Sequence, residues 1–163
     1  MAEPVSDSEE AFYHWREAMR SMARLPEGIP PQFRRRIWLV LASHTLNSQH
    51  INWPRLIQTL FTPSSLPNAS ETDECLGRQI AKDLHRTGSG AIVGGETDRT
   101  SLKRVLIAYA RWNRRVGYCQ GFNILASVIL NVMEQDVEDS LKVLPLLICF
   151  IFLFKKLILH VRC

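Results

Sequence analysis

Apolar residues recur at three- and four-residue steps along most of the chain, and almost no stretch alternates apolar with polar residues. That period matches one face of an α-helix, so the chain must bury helical stripes against one another and has little from which to build a sheet. After the caps offered by Ser6 and Ser8, the residues Phe12, Trp15, Met19 and Met22 predict a first amphipathic helix. Pro26, Gly28, Pro30 and Pro31 break it. Pro31 suits the first turn of a second helix, whose residues Phe33, Ile37, Trp38 and Leu41 share a face while Arg34, Arg35 and Arg36 surround its start. A short helix is expected from Trp53 to Phe61, then a loop over Thr62 to Asn68.

A fourth helix is predicted to resume near Glu71 with Leu76, Ile80 and Leu84 on one face, ending in a Gly-rich loop from Thr87 to Gly95. Asp98 can cap the next, which carries Leu102, Val105, Leu106 and Tyr109 inward and is expected to end at Gly117. The turn Gly117-Tyr118-Cys119-Gln120-Gly121-Phe122-Asn123 then feeds a nearly all-apolar helix over Ile124 to Met133, which suits the middle of a core. Gln135 to Ser140 reads as a polar connector. No internal repeat is evident, and the fold class is all-α.

The 163 residues suit a single domain, and 46% hydrophobic with 22% charged residues excludes a disordered chain. The formal charge of +4 permits an acidic partner without arguing for nucleic acid. Lys103, Arg104, Arg111, Arg114 and Arg115 are consistent with a solvated helix face, and no nucleic-acid signature accompanies them. Cys75, Cys119, Cys149 and Cys163 form no CxxC pair and have no zinc-ligand spacing, so they read as free thiols and no metal is expected. The acidic, polar start MAEPVSDSEEAF lacks the pattern of an export signal, which makes the cytoplasm the expected compartment.

Three clusters can carry chemistry. Arg34 to Trp38 is a basic helix start with a Trp one turn on; Ile80, Asp83 and Arg86 recur every three residues; and Tyr118-Cys119-Gln120 lies between two glycines that allow a tight bend. Taken singly, each has a structural explanation. An Asp and an Arg three apart ordinarily form a surface ion pair worth about 0.2–0.5 kcal/mol, and a Gln at a helix start ordinarily caps backbone amides.

Their order changes the reading. RxxxW, IxxDxxR and YxQ, in that order and introduced by Gly28-Ile29-Pro30, resemble the TBC domain of Rab GTPase-activating proteins; GYCQGFN is a close version of the family's third motif. The resemblance covers residues 28–144, with 1–27 as an N-terminal amphipathic helix and linker and 145–163 as an atypical apolar tail. It implies an orthogonally packed helical domain, of which this chain would hold the first part and lack the C-terminal part.

The resemblance implies a function too. The chain would accelerate GTP hydrolysis by a Rab-family GTPase in its GTP form, with Arg86 as an arginine finger and Gln120 as a glutamine finger supplied in trans. Asp83 would orient Arg86, while Arg34, Trp38, Ile80 and Tyr118 would support the two fingers. GTP and Mg²⁺ would belong to the partner, and no cofactor to this chain. The alternative is a catalytically inactive fragment that binds or regulates. The family commonly places an aromatic residue and a proline after the finger; Gly88-Ser89-Gly90 here implies a loop with more backbone freedom.

Val143 to Phe154 is a run of twelve apolar residues, followed by Lys155-Lys156 and Leu157 to Leu159. A span of the bilayer needs about 20 mainly apolar residues, whereas runs of about 10–14 are more often buried helices. A buried helix deprived of the rest of its domain by truncation or splicing is the favoured reading. Snorkelling lysines would lengthen the run, so the tail and the GTPase both offer routes to peripheral association with intracellular membranes.

Overall fold

The computed structural model describes residues 2–62, 67–86 and 96–160, with side chains described over 2–62, 74–84 and 99–149. Among the described residues there are seven helices and no strand: α1 (Glu9–Ala23), α2 (Pro31–Ser48), α3 (Trp53–Phe61), α4 (Pro67–Arg86), α5 (Glu96–Trp112), α6 (Phe122–Val132) and α7 (Val137–His160). Local chemistry fixes several of the ends. The Ser8 side chain accepts the Ala11 N–H at 3.2 Å and Asn52 that of Arg55 at 3.1 Å, each satisfying a donor that the first turn of a helix leaves unpaired. Asp136 does the same for Asp139 at the start of α7.

The main core lies where α5 packs against α3, α4, α6 and α7. Its fully enclosed side chains include Ile80 of α4, Leu102, Leu106 and Tyr109 of α5, Ile129 of α6 and Leu141 and Leu144 of α7. A smaller cluster joins Phe12, Trp15 and Met19 of α1 to Ile37 of α2, so the stripe expected on the first helix is the one it buries. Trp38 packs against both clusters.

Several boundaries differ from the sequence expectations. α4 begins at Pro67, four residues before Glu71, because proline suits a first turn whose N–H groups lack helical partners. α5 begins at Glu96, so Asp98 lies inside its first turn, past the position expected for the cap. It stops at Trp112 and not at Gly117, since Asn113 Oδ1 accepts the Val116 N–H at 3.2 Å and gives the backbone an alternative to helix. Arg114 and Arg115 therefore stand in a turn. Phe33 is 42% exposed and does not share in the buried face of α2.

Arg35 and Arg36, at the start of α2, hold ion pairs to other segments. Arg35 donates to Glu134 at 2.5 Å and to Asp139 at 2.9 Å, tying α2 to the turn that enters α7, and Arg36 donates to Glu3 at 2.5 Å. The Arg35 guanidinium is held above its ordinary pKa, chiefly by the hydrogen bond to Asp139. The partly exposed Arg35 pairs contribute about 0–1 kcal/mol each, so they set orientation more than stability.

The residue 144/145 boundary expected between a domain and its tail falls inside α7, which runs on through Pro145. Leu144 and Ile148 on either side of that proline are both buried in the main core. Among the described residues, no helix is long and apolar enough to cross a membrane.

Candidate functional site

α4 delivers the second cluster. Ile80, Asp83 and Arg86 occupy its last two turns, and the three-residue spacing puts them near one side of the helix. Ile80 is wholly buried among α4, α5 and α6 residues and serves as the anchor. Asp83, one turn nearer the end, is only partly buried. Arg86 is the last residue of α4; its side chain and the Gly-rich loop expected from Thr87 to Gly95 lie outside the described residues.

The third cluster is the turn between α5 and α6. Gly117 has φ of +62° and Gly121 φ of +97°, left-handed conformations that a side chain with a β-carbon strains to adopt. Gly121 is also the N-cap residue of α6. Between them the chain reverses within a few residues, held from both sides by asparagines. Asn113 closes the turn before Gly117, and the buried Asn123 accepts the Gly121 N–H at 3.2 Å through its side-chain oxygen.

The two clusters meet at one contact. Tyr118 Oη donates to Asp83 Oδ2 at 2.9 Å, linking the turn to the end of α4. The Tyr118 ring stands edge-on to Phe122, with centroids 6.3 Å apart and planes at 87°, and Phe122 in turn meets the buried Tyr109 in the same manner at 5.7 Å. The phenol is therefore fixed by packing before it reaches the carboxylate. Its pKa is pushed well above the ordinary value, first by burial and then by the hydrogen bond to Asp83.

Gln120, two residues on, is exposed, and its side chain makes no hydrogen bond among the described residues. It does not cap the helix that follows. The turn therefore presents one amide donor and one acceptor to solvent beside the α4 end that carries Arg86. Tyr118, the residue that holds the turn, faces inward.

The first cluster works at a different junction. Arg34 Nε donates to the Ile29 carbonyl at 2.8 Å, clamping the Gly28-Ile29-Pro30 entry onto α2, while Trp38 fills the seam between the two apolar clusters. Arg111, expected on a solvated helix face, is instead partly buried, and its Nη1 donates to the Leu60 carbonyl at 2.7 Å at the last turn of α3; the side-chain roles of Asn113 and Asn123 are further features the motifs do not announce. An asparagine within four residues of a glycine on either side of the turn was the available signal for the last two.

Replacing Tyr118 by Phe should remove the hydroxyl that partners Asp83 and lower stability by about 1–2 kcal/mol in urea unfolding. Because the folded pKa of Tyr118 is raised, its contribution is present below an unfolded value of about 10 and is lost as pH rises through the folded value. The unfolding midpoint should therefore fall above about pH 10, less steeply in Tyr118→Phe. Identical alkaline slopes in the two proteins would contradict this account.

A family model described as the Rab-GTPase-TBC domain matches residues 31–161. TBC1 domain family member 30 of Xenopus tropicalis is 51% identical over 139 residues, which cover 84% of this chain and 15% of that protein. The Homo sapiens protein of the same name is 50% identical over the same length, again 84% of this chain and 15% of the relative. TBC1 domain family member 2A of Homo sapiens is 33% identical over 115 residues, covering 69% of this chain and 12% of the relative. The chain thus spans about 15% of the length of the first of these relatives. No solved structure gives a significant match.

Proposed function

Because the chain belongs to the Rab-GTPase-TBC domain family, we propose that it carries a GTPase-activating site for a Rab-family GTPase in its GTP form, with Arg86 and Gln120 as the two fingers. The observation that carries the reading is the hydrogen bond from Tyr118 to Asp83, which holds the Gln120 turn against the helix that ends in Arg86. Two residues 34 positions apart in sequence then serve one reaction centre.

The chemistry asks for such a pair. Hydrolysis of GTP builds charge on the β- and γ-phosphate oxygens and needs a water aligned for attack. The Arg86 guanidinium, always cationic and forked, suits the phosphate oxygens. The Gln120 amide can accept from the attacking water and donate toward the γ-phosphate at once, and its exposure leaves it open to a partner. Asp83 orients Arg86, while Ile80, Arg34 and Trp38 fix the helices on which the site stands. The nucleotide and its Mg²⁺ come with the GTPase, and the place of action is the cytoplasmic face of the membranes that carry it.

The test is single-turnover phosphate release by a panel of GTP-loaded Rab proteins, with this chain and with its Arg86→Ala and Gln120→Ala variants. Acceleration by the unaltered chain that both variants lose supports the reading. Equal rates for all three sink it. Binding to a GTP-loaded Rab without any acceleration would point to a noncatalytic binding module.

A further inference from the structure

The expectation that α6 lies wholly inside the core is corrected by its outer side, where Ile124 is 52% exposed and Val128 54% exposed. Phe122, Asn123, Ala126, Ile129 and Leu130 form the buried side. Asn123 is the anomaly there. Among the described residues, the buried polar ones are Asn123 and Ser140, and Ser140 donates to the Asp136 carbonyl at the start of its own helix. An amide in an apolar core is costly unless its groups find partners, and an aliphatic residue would fill the space without that demand.

What Asn123 holds is the turn that carries Gln120. The Phe122 N–H donates to the Cys119 carbonyl at 3.1 Å, closing a four-residue turn with Gln120 and Gly121 at its centre. Gly121 has φ of +97° and ψ of −16°, the conformation of the third residue of a type II turn. The competing type I turn joins the same ends with the peptide between Gln120 and Gly121 rotated by about half a revolution, and glycine permits either. The Gly121 N–H, which Asn123 Oδ1 accepts at 3.2 Å, is the N–H of that central peptide. Rotation would carry it to the opposite face and take this donor away from a buried acceptor. The bond therefore selects one of two backbones for Gln120, and the rotamers open to the Gln120 side chain depend on that backbone.

We infer that Asn123 is a positioning residue for Gln120, fixing through the Gly121 N–H the turn from which the Gln120 amide is presented. The inference rests on the reading of Gln120 as a finger and adds the buried residue that preorganises it. At 5% exposure Asn123 acts through the turn and not by contact with the GTPase. Its loss should then lower kcat and leave KM for the GTPase nearly unchanged. An acceptor that reaches back to an N-cap N–H also steadies the start of a helix, so stability and turnover are measured apart.

The experiment measures kcat and KM over a range of GTP-loaded Rab concentrations for this chain, for Asn123→Leu, Asn123→Asp, Gly121→Ala and Gln120→Ala, and for Asn123→Leu combined with Gln120→Ala. Circular dichroism and the urea midpoint of each are recorded in parallel. Asn123→Leu keeps the branched shape and removes the acceptor; it is expected to lower kcat about tenfold or more, with KM within about twofold. Asn123→Asp keeps the acceptor oxygen and should recover most of that loss. In the Gln120→Ala background, Asn123→Leu should change kcat by less than about twofold, since a residue that acts only by placing Gln120 has nothing left to place. An equal factor in both backgrounds marks a purely structural role and overturns the inference. Loss of activity in Gln120→Ala with unaltered kcat in Asn123→Leu also overturns it and leaves the finger reading intact. Full activity in Gln120→Ala overturns both. If Asn123→Leu does not fold, Gly121→Ala decides: a β-carbon there meets no atom beyond its chain neighbours within 4 Å, so the substitution acts by disfavouring positive φ, and an unchanged kcat overturns the inference.

Discussion

Replacing Arg86 by Ala is expected to lower the acceleration of GTP hydrolysis by about 10³-fold or more, the largest effect of any single substitution in this chain. The size follows from where the charge acts. A guanidinium inserted among phosphate oxygens in a cleft closed to water meets charge that develops only in the transition state, so its loss appears in kcat. Arg86→Lys should recover little, because an ammonium is a compact point charge without the fork that spans two oxygens. Gln120→Ala is expected to cost about 10²–10³-fold, the range found for removing one preorganised donor. Binding of either variant to a partner loaded with a nonhydrolysable GTP analogue should change by only a few-fold, which separates lost chemistry from lost docking. Comparable losses of binding and turnover would show that these side chains serve mainly as contacts.

Much of this arrangement can be read in the linear sequence, and the reasons differ by element. Helices α1 and α3 carry clear caps and an apolar stripe, so their positions follow from spacing alone. The end of α5 does not, because Tyr109, Trp112 and Val116 keep a helical period through a segment where the Asn113 side chain has taken over the backbone hydrogen bonding. The outer side of α6 is hidden for a related reason. Composition says only that the helix is apolar, and which apolar residues meet a neighbour depends on how α5 and α7 pack against it. The apolar run from Val143 is read in the sequence as a buried helix, and its start agrees with that: Val137 to His160 is one helix whose first turn is acidic and in which Leu141, Val143, Leu144 and Ile148 are core.

The candidate site divides in the same way. The motif residues were legible as types at spacings, and the spacing of Ile80 with Leu76 and Leu84 already pointed it inward, but how the motifs meet in space was not. Tertiary packing supplies that. Ile80 is buried against α5 and α6, Asp83 is held at the margin by Tyr118, and Arg86 ends the helix. The long-range contact from Tyr118 to Asp83 carries no sequence signal of its own, because nothing in either motif announces the other.

That division predicts the second large effect, on folding and not on turnover. Ile80→Ala removes three methyl or methylene carbons from a side chain with no solvent exposure, in a core shared by α4, α5, α6 and α7. Such truncations cost about 2–5 kcal/mol, the spread reflecting how far neighbours close the cavity. A domain of this size is stable by only about 5–15 kcal/mol, so the substitution should remove a large fraction of it. The denaturation midpoint should fall accordingly while the slope with denaturant stays the same. Gln120→Ala, at an exposed position, should leave the midpoint within about 0.5 kcal/mol of the unaltered chain. The two motif residues are thus expected to separate cleanly, Ile80 lowering stability and Gln120 lowering turnover. An Ile80→Ala chain as stable as the parent would mean that α4 is not anchored where the buried isoleucine puts it, and Arg86 would then lose the support that sets its place.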